Sequence, residues 1–373
     1  MLSIVIPTYN EGENVARITE RITASLAGQS FEIIFVDDST DNTPALLDKL
    51  QVQDSRVRVI HREGERGLAT AVVRGFTEAA GDVLTVMDGD LQHPPELLPT
   101  LLDYIYQGYD LVIPSRFVPG GSDGGLNTWR RIVSKSARLM AWLSLRKTRV
   151  ASDPMGGFFM CRRHVIQGVQ LTPIGWKILL EILVKGHYQL PVEIPYQFQA
   201  REMNMSKMSI HQQLLFVQHL MRLVSGSPED SRFWKFCLVG LSGVVVNFAV
   251  YILLVEGARL NVVLAGILSA LVAMFSNFWL NDRITWKQQK GQSLYIRLAK
   301  FYIYCSLGIT INALILALLH DKLGLNYLLS NLAGIIVATL WNFSANNRWT
   351  WNQPPEALAE AKIIWFSDNR HKS

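Results

Sequence analysis

Four long uncharged apolar runs constrain the fold of this chain more than any other feature. They cover residues 236–255, 260–279, 301–319 and 325–343. Each run has about 20 residues, which is the length needed to cross the hydrocarbon core of a bilayer. One such run could be the buried helix of a soluble protein, but four in succession predict a membrane domain. Residues 1–230 contain only short apolar runs and predict a soluble domain.

The four runs are two copies of one helical hairpin. An offset of 65 residues places Asn247 on Asn312, and it places Arg283-Ile-Thr-Trp286 on Arg348-Trp-Thr-Trp351. Repetition at a fixed offset indicates duplication of a structural unit. Because each copy contains two runs, both copies have the same orientation in the membrane. The two asparagines lie inside apolar runs, where hydrogen bonding between helices is favoured over a transport site.

Basic residues are distributed unevenly around the four runs. Several basic residues lie before the first run, between the second and third runs, or after the fourth run. The loop between the first and second runs has one, Arg259, and the loop between the third and fourth runs has one, Lys322. By the positive-inside rule, both termini and the soluble domain are expected on the cytoplasmic side of the cell membrane. The amino terminus has no basic region followed by a cleavage site, so no signal peptide is expected.

Strands and helices alternate along the soluble domain. Apolar strands are predicted at 3–7, 31–37, 57–60 and 83–87, with helical patterns between them, as at 43–53. Unbroken apolar strands that alternate with helices predict an α/β fold with a mostly parallel sheet covered on both faces. Ligands of such sheets bind beyond the carboxyl ends of the strands.

The turn after the fourth predicted strand carries two carboxylates and an amide, those of Asp88, Asp90 and Gln92. In an extended turn alternate residues point the same way, so these three side chains are expected to converge. Hard oxygen ligands of this kind suit Mg²⁺ or Mn²⁺. For a pattern this short, a solvated acidic turn before a helix that starts with proline is the alternative.

A basic stretch with interleaved apolar residues lies between 129 and 149. Its pattern predicts an amphipathic helix at a membrane interface, and nucleic-acid binding is the alternative for basic residues among aromatic ones. A net charge of +5 permits either partner, but the four apolar runs favour lipid over nucleic acid. Charge that faces lipid is expected at Arg131, Arg138 and Arg146. A second amphipathic stretch, 206–224, is expected to lead the chain to the bilayer.

Three segments resemble a known enzyme family. Ile4-Val-Ile-Pro-Thr-Tyr-Asn-Glu-Gly-Glu-Asn14, Val36-Asp-Asp-Ser-Thr-Asp-Asn42 and Asp88-Gly-Asp-Leu-Gln-His-Pro-Pro-Glu96 resemble the GT-A glycosyltransferases of family 2. More narrowly, they resemble the dolichyl-phosphate mannose synthases and their bacterial polyprenyl-phosphate glycosyltransferase relatives. The duplicated hairpin resembles the GtrA-type membrane domain that accompanies such enzymes.

The resemblance implies the organisation of the whole chain. It implies a cytoplasmic, Rossmann-like GT-A domain at 1–205, interfacial helices at 206–230, a GtrA-like transmembrane domain at 231–352 and a cytoplasmic tail at 353–373. The implied reaction is transfer of one sugar from a nucleotide donor to dolichyl or polyprenyl phosphate. GDP-mannose is the favoured donor and UDP-glucose, with undecaprenyl phosphate as acceptor, is the alternative.

The resemblance also implies roles for individual residues. The nucleotide-sugar site would be lined by Pro7, Tyr9, Glu11, Asp37, Asp88 and Gln92. The divalent cation, Mg²⁺ or Mn²⁺, would be held by Asp88, Asp90 and Gln92. The phosphate of the acceptor would be bound by Arg116, Arg130, Ser134 and Arg201, with Lys207 as a further candidate. The implied catalytic residues are Asp90, Arg116, Arg130, Ser134 and Arg201.

The acceptor oxygen of a polyprenyl phosphate is already anionic at neutral pH. It needs orientation and charge neutralisation more than a strong general base, and in-line displacement inverts the anomeric carbon. Two positions depart from the family pattern. Gly156 stands where the family has serine, and Asn204 stands where it has glycine. Asparagine tolerates the left-handed backbone that glycine adopts, so the second change is expected to preserve the loop.

Two other functions compete with lipid-linked sugar transfer. A processive polysaccharide synthase would share the first motifs and would also have a Gln-x-x-Arg-Trp motif. The nearest match in this sequence is Ala345-Asn-Asn-Arg348-Trp349, which lacks the glutamine and follows the fourth run. Alternatively, the membrane domain could move the glycolipid across the bilayer. The apolar runs contain no ionised residue, which favours anchoring or homo-oligomerisation through the membrane domain over transport.

Overall fold

The computed structural model of the chain describes residues 1–64, 66–124, 128–198, 210–289 and 291–351, with the backbone alone described at 128–130 and 210–211. The chain divides into two compact units, Met1–Ser227 and Pro228–Ser373. Each unit has its own core, so the two are described separately.

A seven-stranded sheet forms the centre of the first unit, in the order β3-β2-β1-β4-β6-β5-β7. Its strands are β1 (Leu2–Thr8), β2 (Phe31–Asp37), β3 (Val57–His61), β4 (Val83–Val86), β5 (Leu111–Ser115), β6 (Phe159–Arg162) and β7 (Pro191–Pro195). β6 is antiparallel to β4 and β5, and the other neighbouring pairs are parallel. The predicted α/β fold with a mostly parallel sheet is therefore confirmed.

Helices cover both faces of this sheet. They are α1 (Gly12–Ser25), α2 (Thr43–Gln53), α3 (Leu68–Glu78), α4 (Leu98–Tyr106), α5 (Thr128–Ser144), α6 (Ile178–Lys185) and α7 (Ile210–Gly226). Successive residues of a strand point to opposite faces, so Ile4 and Ile6 of β1 join one core while Val5 joins the other. Burial on both faces explains why the strands read as unbroken apolar runs.

The location of the polar residues follows from the strand order. β1 lies between β2 and β4, because the chain continues from β1 to one side of the sheet and returns later to the other. The connections after β1 and β4 therefore diverge, which leaves a crevice at their carboxyl ends. Tyr9 follows β1 and Asp88 follows β4, so both residues lie at this crevice.

Helix α7 belongs to the first unit instead of forming a separate linker. Its Phe216, Leu220 and Leu223 recur at helical spacing and pack in one apolar cluster with Leu145 and with Leu180 of α6. Burial of this stripe places α7 within the fold of the first unit, next to α5 and α6. The unit consequently ends at Ser227, immediately before the first membrane helix.

Four long helices make up the described part of the second unit. They are α8 (Pro228–Ile252), α9 (Val262–Leu280), α10 (Leu294–Leu316) and α11 (Tyr327–Ala345). Each continues into a π-helical end, so that the full spans are Pro228–Gly257, Val262–Thr285, Leu294–Lys322 and Tyr327–Thr350. By length and composition, all four could cross a membrane, as the sequence predicts. α8 packs mainly against α9, and α10 against α11.

Hydrogen bonds between the two hairpins follow the sequence duplication. The indole nitrogen of Trp351 donates to Asp282 at 2.9 Å, and the indole nitrogen of Trp286 donates to Asn347 at 3.0 Å. Asp282 and Asn347 are equivalent at the offset of 65 residues, as are the two tryptophans. Each hairpin therefore supplies one indole to the other hairpin's polar residue.

The sequence position of Asn312 suggests an interhelical hydrogen bond, but its side-chain oxygen does not accept one from the described residues. Its Oδ1 is buried without a hydrogen-bond partner among the described residues. The amide lies instead against Gly334 on the neighbouring helix, where a side chain would overlap it. Asn312 thus contributes to close packing of α10 on α11.

Candidate active site

The turn after β4 is folded back and not extended, so the extended geometry predicted for Asp88, Asp90 and Gln92 is wrong. Asp90 Oδ1 accepts the backbone N–H of Gln92 at 3.1 Å, which closes a local turn. Between them Leu91 adopts a left-handed backbone with φ of 61°. The side chain of Leu91 is buried in the core, and this burial holds the residue in its unusual conformation.

His93 supports the backbone at Asp88. The backbone N–H of Asp88 donates to His93 Nδ1 at 3.0 Å, so this nitrogen acts as the acceptor and carries no proton. The ring is buried and stacks on Phe158, with centroids 5.1 Å apart. This hydrogen bond and the stacking on Phe158 fix the backbone from which the Asp88 carboxylate projects.

Two glycines bring the turn close to neighbouring parts of the site. A Cβ at Gly89 would lie 3.4 Å from Thr8 Cγ2 and 3.8 Å from Glu11 Cγ, so the turn packs against the end of β1. A Cβ at Gly157 would lie 3.4 Å and 3.5 Å from the two carboxylate oxygens of Asp88. The absence of a side chain at Gly157 thus preserves the space in front of this carboxylate.

This space and its oxygen donors fit a hard divalent cation. Asp88 and Asp90 offer carboxylates and Gln92 an amide, which are donors that Mg²⁺ and Mn²⁺ accept. Within the described ranges, no group of three or more His, Cys, Asp or Glu side chains forms a metal site. A cation held by Asp88, Asp90 and Gln92 would take its remaining ligands from substrate phosphates and water, as Mg²⁺ commonly does. The assignment of these three residues as ligands stays a prediction.

The residues predicted to bind the nucleoside lie around the end of β1. Pro7 is buried within the strand, whereas Tyr9 is 36% exposed and has the Arg66 guanidinium 5.8 Å from its ring centroid. Glu11 accepts a hydrogen bond from Asn14 Nδ2 at 2.7 Å. An exposed aromatic ring beside a guanidinium offers a stacking surface for a planar base.

Asp37 is more enclosed than a ligand-binding carboxylate usually is. It is 2% exposed, and its Oδ1 accepts Thr8 Oγ1 at 3.0 Å and Ser39 Oγ at 2.5 Å. Its Oδ2 lies 3.2 Å from His61 Nδ1. Both oxygens already have polar partners, and the burial of the side chain limits its access to a base or ribose. The predicted role of Asp37 in binding the nucleoside is left as a prediction.

Arg116, a predicted ligand of the acceptor phosphate, forms an ion pair at the other side of the Asp88 turn. Its Nε donates to Asp153 Oδ2 at 2.8 Å. Burial lowers the pKa of Arg116, but the charge and hydrogen bond of Asp153 outweigh it, so the pKa is raised overall. The guanidinium also lies 5.3 Å from the ring centroid of Phe117 and 5.2 Å from that of Phe198. These contacts fix the orientation of the cation.

Glu193 of β7 holds the segment that contains Asp153. Its Oε1 accepts the Ser152 hydroxyl at 2.8 Å and the backbone N–H of Asp153 at 3.2 Å, and its Oε2 accepts the Ser152 N–H at 2.8 Å. Glu193 thereby positions Asp153, which in turn positions Arg116. A single acid within the apolar strand Pro191–Pro195 is the one sign of this role in the sequence.

Lys177 brings a further cation to the site, at the start of α6. Its Nζ donates to the Met155 carbonyl at 3.2 Å. Burial lowers the pKa of Lys177, an effect that the nearby carboxylates of Asp153 and Asp88 partly oppose. Met155 belongs to the segment between Asp153 and Gly157, and Gly157 borders Asp88, so Lys177 contacts the loop that joins these parts of the site. The sequence pattern gives no indication of this position, because Lys177 is an isolated cation before an apolar helix.

Helix α5 contributes a residue that the sequence pattern assigns to lipid-facing charge. The Arg138 guanidinium donates to the Ser152 carbonyl at 3.3 Å and lies 4.2 Å from the ring centroid of Phe117. That assignment is wrong, because Arg138 packs on the Arg116 side of the site. Ser134 lies half-buried one turn earlier on the same helix. The backbone of Arg130 is in α5, but its side chain lies outside the described residues, as do Arg201 and Lys207.

Two protein families match the chain in succession. Glycosyl transferase family 2 matches residues 3–169, and the GtrA/DPMS transmembrane domain matches residues 235–351. Together with the four long apolar helices, the second match identifies a multi-pass membrane protein. Among solved structures, glucosyl-3-phosphoglycerate synthase from Mycobacterium tuberculosis is 19% identical with a TM-score of 0.46, covering 60% of this chain and 79% of its own.

Curated relatives share one activity in their names. Dolichol-phosphate mannosyltransferase from Pyrococcus furiosus is 40% identical over 352 residues, covering 94% of this chain and 99% of the relative. The Saccharomyces cerevisiae enzyme of the same name is 37% identical, covering 59% of this chain and 86% of its own. Polyprenol monophosphomannose synthase from Mycolicibacterium smegmatis is 37% identical over 55% of this chain and 80% of its own. The chain is therefore a polyprenyl-phosphate glycosyltransferase and belongs to the dolichol-phosphate mannosyltransferase family.

Proposed function

We propose that the protein transfers mannose from GDP-mannose to dolichyl or polyprenyl phosphate, with inversion of the anomeric carbon, at the cytoplasmic face of the membrane. The observation that carries this proposal is the set of charged side chains around the segment that runs from Asp153 to Gly157. Asp153 pairs with Arg116, Lys177 donates to the Met155 carbonyl, and Gly157 borders the Asp88 carboxylate. Such a site suits two anionic phosphate substrates and a cation better than it suits a neutral substrate.

On the donor side, Tyr9 and Glu11 would contact the nucleoside at the end of β1. Asp88, Asp90 and Gln92 would hold Mg²⁺ or Mn²⁺ against the diphosphate. When bound, such a cation offsets the negative charge that develops on the departing diphosphate. Lys177 would add a second positive charge on the same side, supported by its hydrogen bond to the Met155 carbonyl, two residues before Gly157, which borders Asp88.

On the acceptor side, Arg116 would bind the lipid phosphate with Arg130, Ser134, Arg201 and Lys207. The attacking oxygen is anionic at neutral pH, so these residues would orient it and reduce its repulsion from the donor. Asp153 holds Arg116 through Nε, which leaves the two Nη groups of its fork as donors to phosphate oxygens. No general base is required for this attack.

Helix α5 supports a location of the site at the membrane surface. Its Ile132, Leu139 and Leu143 are 50%, 54% and 57% exposed, next to the basic residues of the same helix. An exposed apolar stripe bordered by cations is suited to the interface between lipid tails and anionic headgroups. The excess of basic residues at the ends of the membrane helices that join the soluble unit supports a cytoplasmic location.

A transfer assay tests the proposal directly. The detergent-purified protein would receive Mn²⁺ or Mg²⁺, a short polyprenyl phosphate and either GDP-mannose or UDP-glucose. We expect a mannosyl lipid of inverted configuration from GDP-mannose, identified by NMR. Preference for UDP-glucose would overturn the donor assignment, a retained configuration would reject the in-line mechanism, and no transfer from any donor would refute the proposal.

The variant Asp90→Ala tests the proposed cation site. We expect it to lower kcat by about 10²–10³-fold, as loss of a charge-stabilising group at a reacting centre commonly does. Asp103→Ala is the control, because Asp103 is an exposed carboxylate on α4, away from the Asp88 turn. Equal activity of the two variants would exclude Asp90 from the site.

A further inference from the structure

Helix α7 holds a segment that leads into the candidate active site. His219 of α7 is fully buried, and its Nδ1 lies 3.1 Å from the Ile174 carbonyl. Because a carbonyl can only accept, Nδ1 carries the proton and donates it. Arg222, almost one turn later on α7, donates to the Thr172 carbonyl at 3.2 Å. Two side chains of α7 therefore bind the backbone of residues 172–174.

Helix α6 holds the same segment through Glu181. This residue is fully buried, and its Oε1 accepts the Thr172 N–H at 2.7 Å and Lys185 Nζ at 2.5 Å. A third contact comes from α3, where the N–H of Ala69 donates to the Gly175 carbonyl at 3.3 Å. The 172–175 segment is thus held by three helices although it has no regular secondary structure of its own.

The segment ends next to Lys177. Only Trp176 separates Gly175 from Lys177, whose Nζ donates to the Met155 carbonyl in the segment that runs from Asp153 to Gly157, beside Asp88. A displacement of the segment would therefore move the Lys177 side chain relative to these two carboxylates. Arg201 and Lys207 precede α7 in the chain and α8 follows it, so α7 connects the predicted acceptor residues to the membrane helices.

One feature of the contact between α6 and α7 does not serve stability. Glu181 Oε2 and His219 Nε2 face each other at 3.7 Å, which exceeds a hydrogen bond. Neither atom has a hydrogen-bond partner within the described part of the chain. Leaving a buried polar group unsatisfied destabilises a fold by about 1–3 kcal/mol. The other oxygen and the other nitrogen of these two side chains both bind the 172–174 backbone.

We propose that His219 and Glu181 are positioning residues for sugar transfer, which hold the 172–175 segment so that Lys177 faces the donor diphosphate. The inference rests on the proposed donor site. His219 and Glu181 touch neither substrate, and they act through the backbone that places Lys177. The ligand class for Lys177 is a nucleoside diphosphate, whose negative charge the compact ammonium group can approach closely.

The primary test is His219→Leu in the full-length protein, with GDP binding measured by calorimetry in the presence of Mg²⁺. We expect the Kd for GDP and the KM for the nucleotide sugar to rise about tenfold. The KM for polyprenyl phosphate should change less than about twofold. His219→Asn should restore GDP binding, because the asparagine amide can donate to Ile174 from near the position of Nδ1. An equal rise of both KM values would contradict the inference.

A double-mutant cycle with Lys177→Ala separates positioning from general destabilisation. If His219 acts through Lys177, His219→Leu should weaken GDP binding much less once Lys177 has been removed. Phe216→Leu is the control, because Phe216 packs on α5 and α6 from the same helix without binding the 172–175 backbone. Its effect should add to that of Lys177→Ala. An additive cycle for His219 would overturn the inference.

Glu181→Gln provides an independent variant. Glutamine retains an oxygen for the Thr172 N–H, and its amide N–H, unlike a carboxylate oxygen, can donate to His219 Nε2 after a small movement that closes the 3.7 Å separation. GDP binding should therefore be kept or improved in this variant. Weaker GDP binding by a folded Glu181→Gln would overturn the inference. If Lys177→Ala alone leaves GDP binding unchanged, the proposed donor role of Lys177 fails, whatever His219 does.

Discussion

Trp286 and Trp351 stack face to face, with ring centroids 4.2 Å apart and planes 2° from parallel. The two rings occupy equivalent positions in the duplicated hairpins and are both fully buried. Each indole also donates a hydrogen bond to the opposite hairpin, through Asp282 or Asn347. Duplication has thus placed identical residues against each other, and their stacking joins the two halves of the membrane unit.

Trp286→Ala is expected to destabilise the membrane unit by about 3–5 kcal/mol, as truncation of a buried tryptophan commonly does. The loss includes both the stack with Trp351 and the bond to Asn347. Thermal unfolding of the detergent-purified protein measures it. Trp349→Ala is the control, because Trp349 is 43% exposed. Equal stability of the two variants would show that the stack contributes nothing.

Close packing within the first hairpin depends on Gly243. A Cβ at this position would overlap the Asn277 amide, whereas a Cβ at Gly240 would meet no atom within 4 Å. Gly243→Ala is therefore expected to destabilise the unit by about 1–3 kcal/mol through overpacking. Gly240→Ala, one turn away on the same helix, should be neutral or slightly stabilising. A reversed order of the two melting temperatures would rule out the Gly243–Asn277 contact.

Glu32 is expected to stabilise the first unit in a pH-dependent way. Burial raises the pKa of Glu32, but hydrogen bonds from Ser3, the Ala80 N–H and Arg58 outweigh it, so the pKa is lowered from 4.5. A carboxylate with a lowered folded-state pKa stabilises the fold above its unfolded pKa. That contribution is lost as the pH falls through the folded value.

Glu32→Gln should therefore lower the free energy of unfolding near pH 7, by about 1.5–3 kcal/mol for hydrogen bonds to a charged group. The difference from the wild type should shrink as the pH falls below the unfolded value near 4.5. Urea unfolding followed by tryptophan fluorescence at several pH values measures both quantities. Glu20→Gln, on an exposed part of α1, is the control. A difference that does not change with pH would refute the role of the Glu32 charge.

Two neighbouring glycines should respond differently to substitution. A Cβ at Gly156 would lie 3.7–3.9 Å from its nearest neighbours, which are atoms of Asp153, so Gly156→Ser should keep stability within about 0.5 kcal/mol and retain transfer. Gly157→Ala would place a methyl group 3.4 Å from both Asp88 Oδ2 and His93 Cε1. The donor KM should rise in Gly157→Ala alone. Equal kinetics of the two variants would contradict the space assigned in front of Asp88.

Local periodicity explains which parts of the fold could be predicted. The strand Phe31–Asp37 and the helix Thr43–Gln53 have the bounds that the sequence predicts, because burial on both faces and helical spacing leave a direct trace in the residue order. The prediction of an extended Asp88 turn was wrong. The shape of this turn depends on the burial of Leu91, a long-range contact that neighbouring residues do not reveal.

The sequence by itself determined the four long apolar helices, their duplication and the α/β class of the soluble unit, which depend on composition and spacing along the chain. It also marked Asp88 and Asp90 as candidate cation ligands, and the family resemblance added Arg116 as a candidate. Only the tertiary structure decided that Asp37 is enclosed, that Arg138 and Arg116 pack on the same Phe117 ring and that Lys177 binds the Met155 carbonyl. Such relationships join residues far apart in the chain, where packing and electrostatics, not local pattern, set the distances.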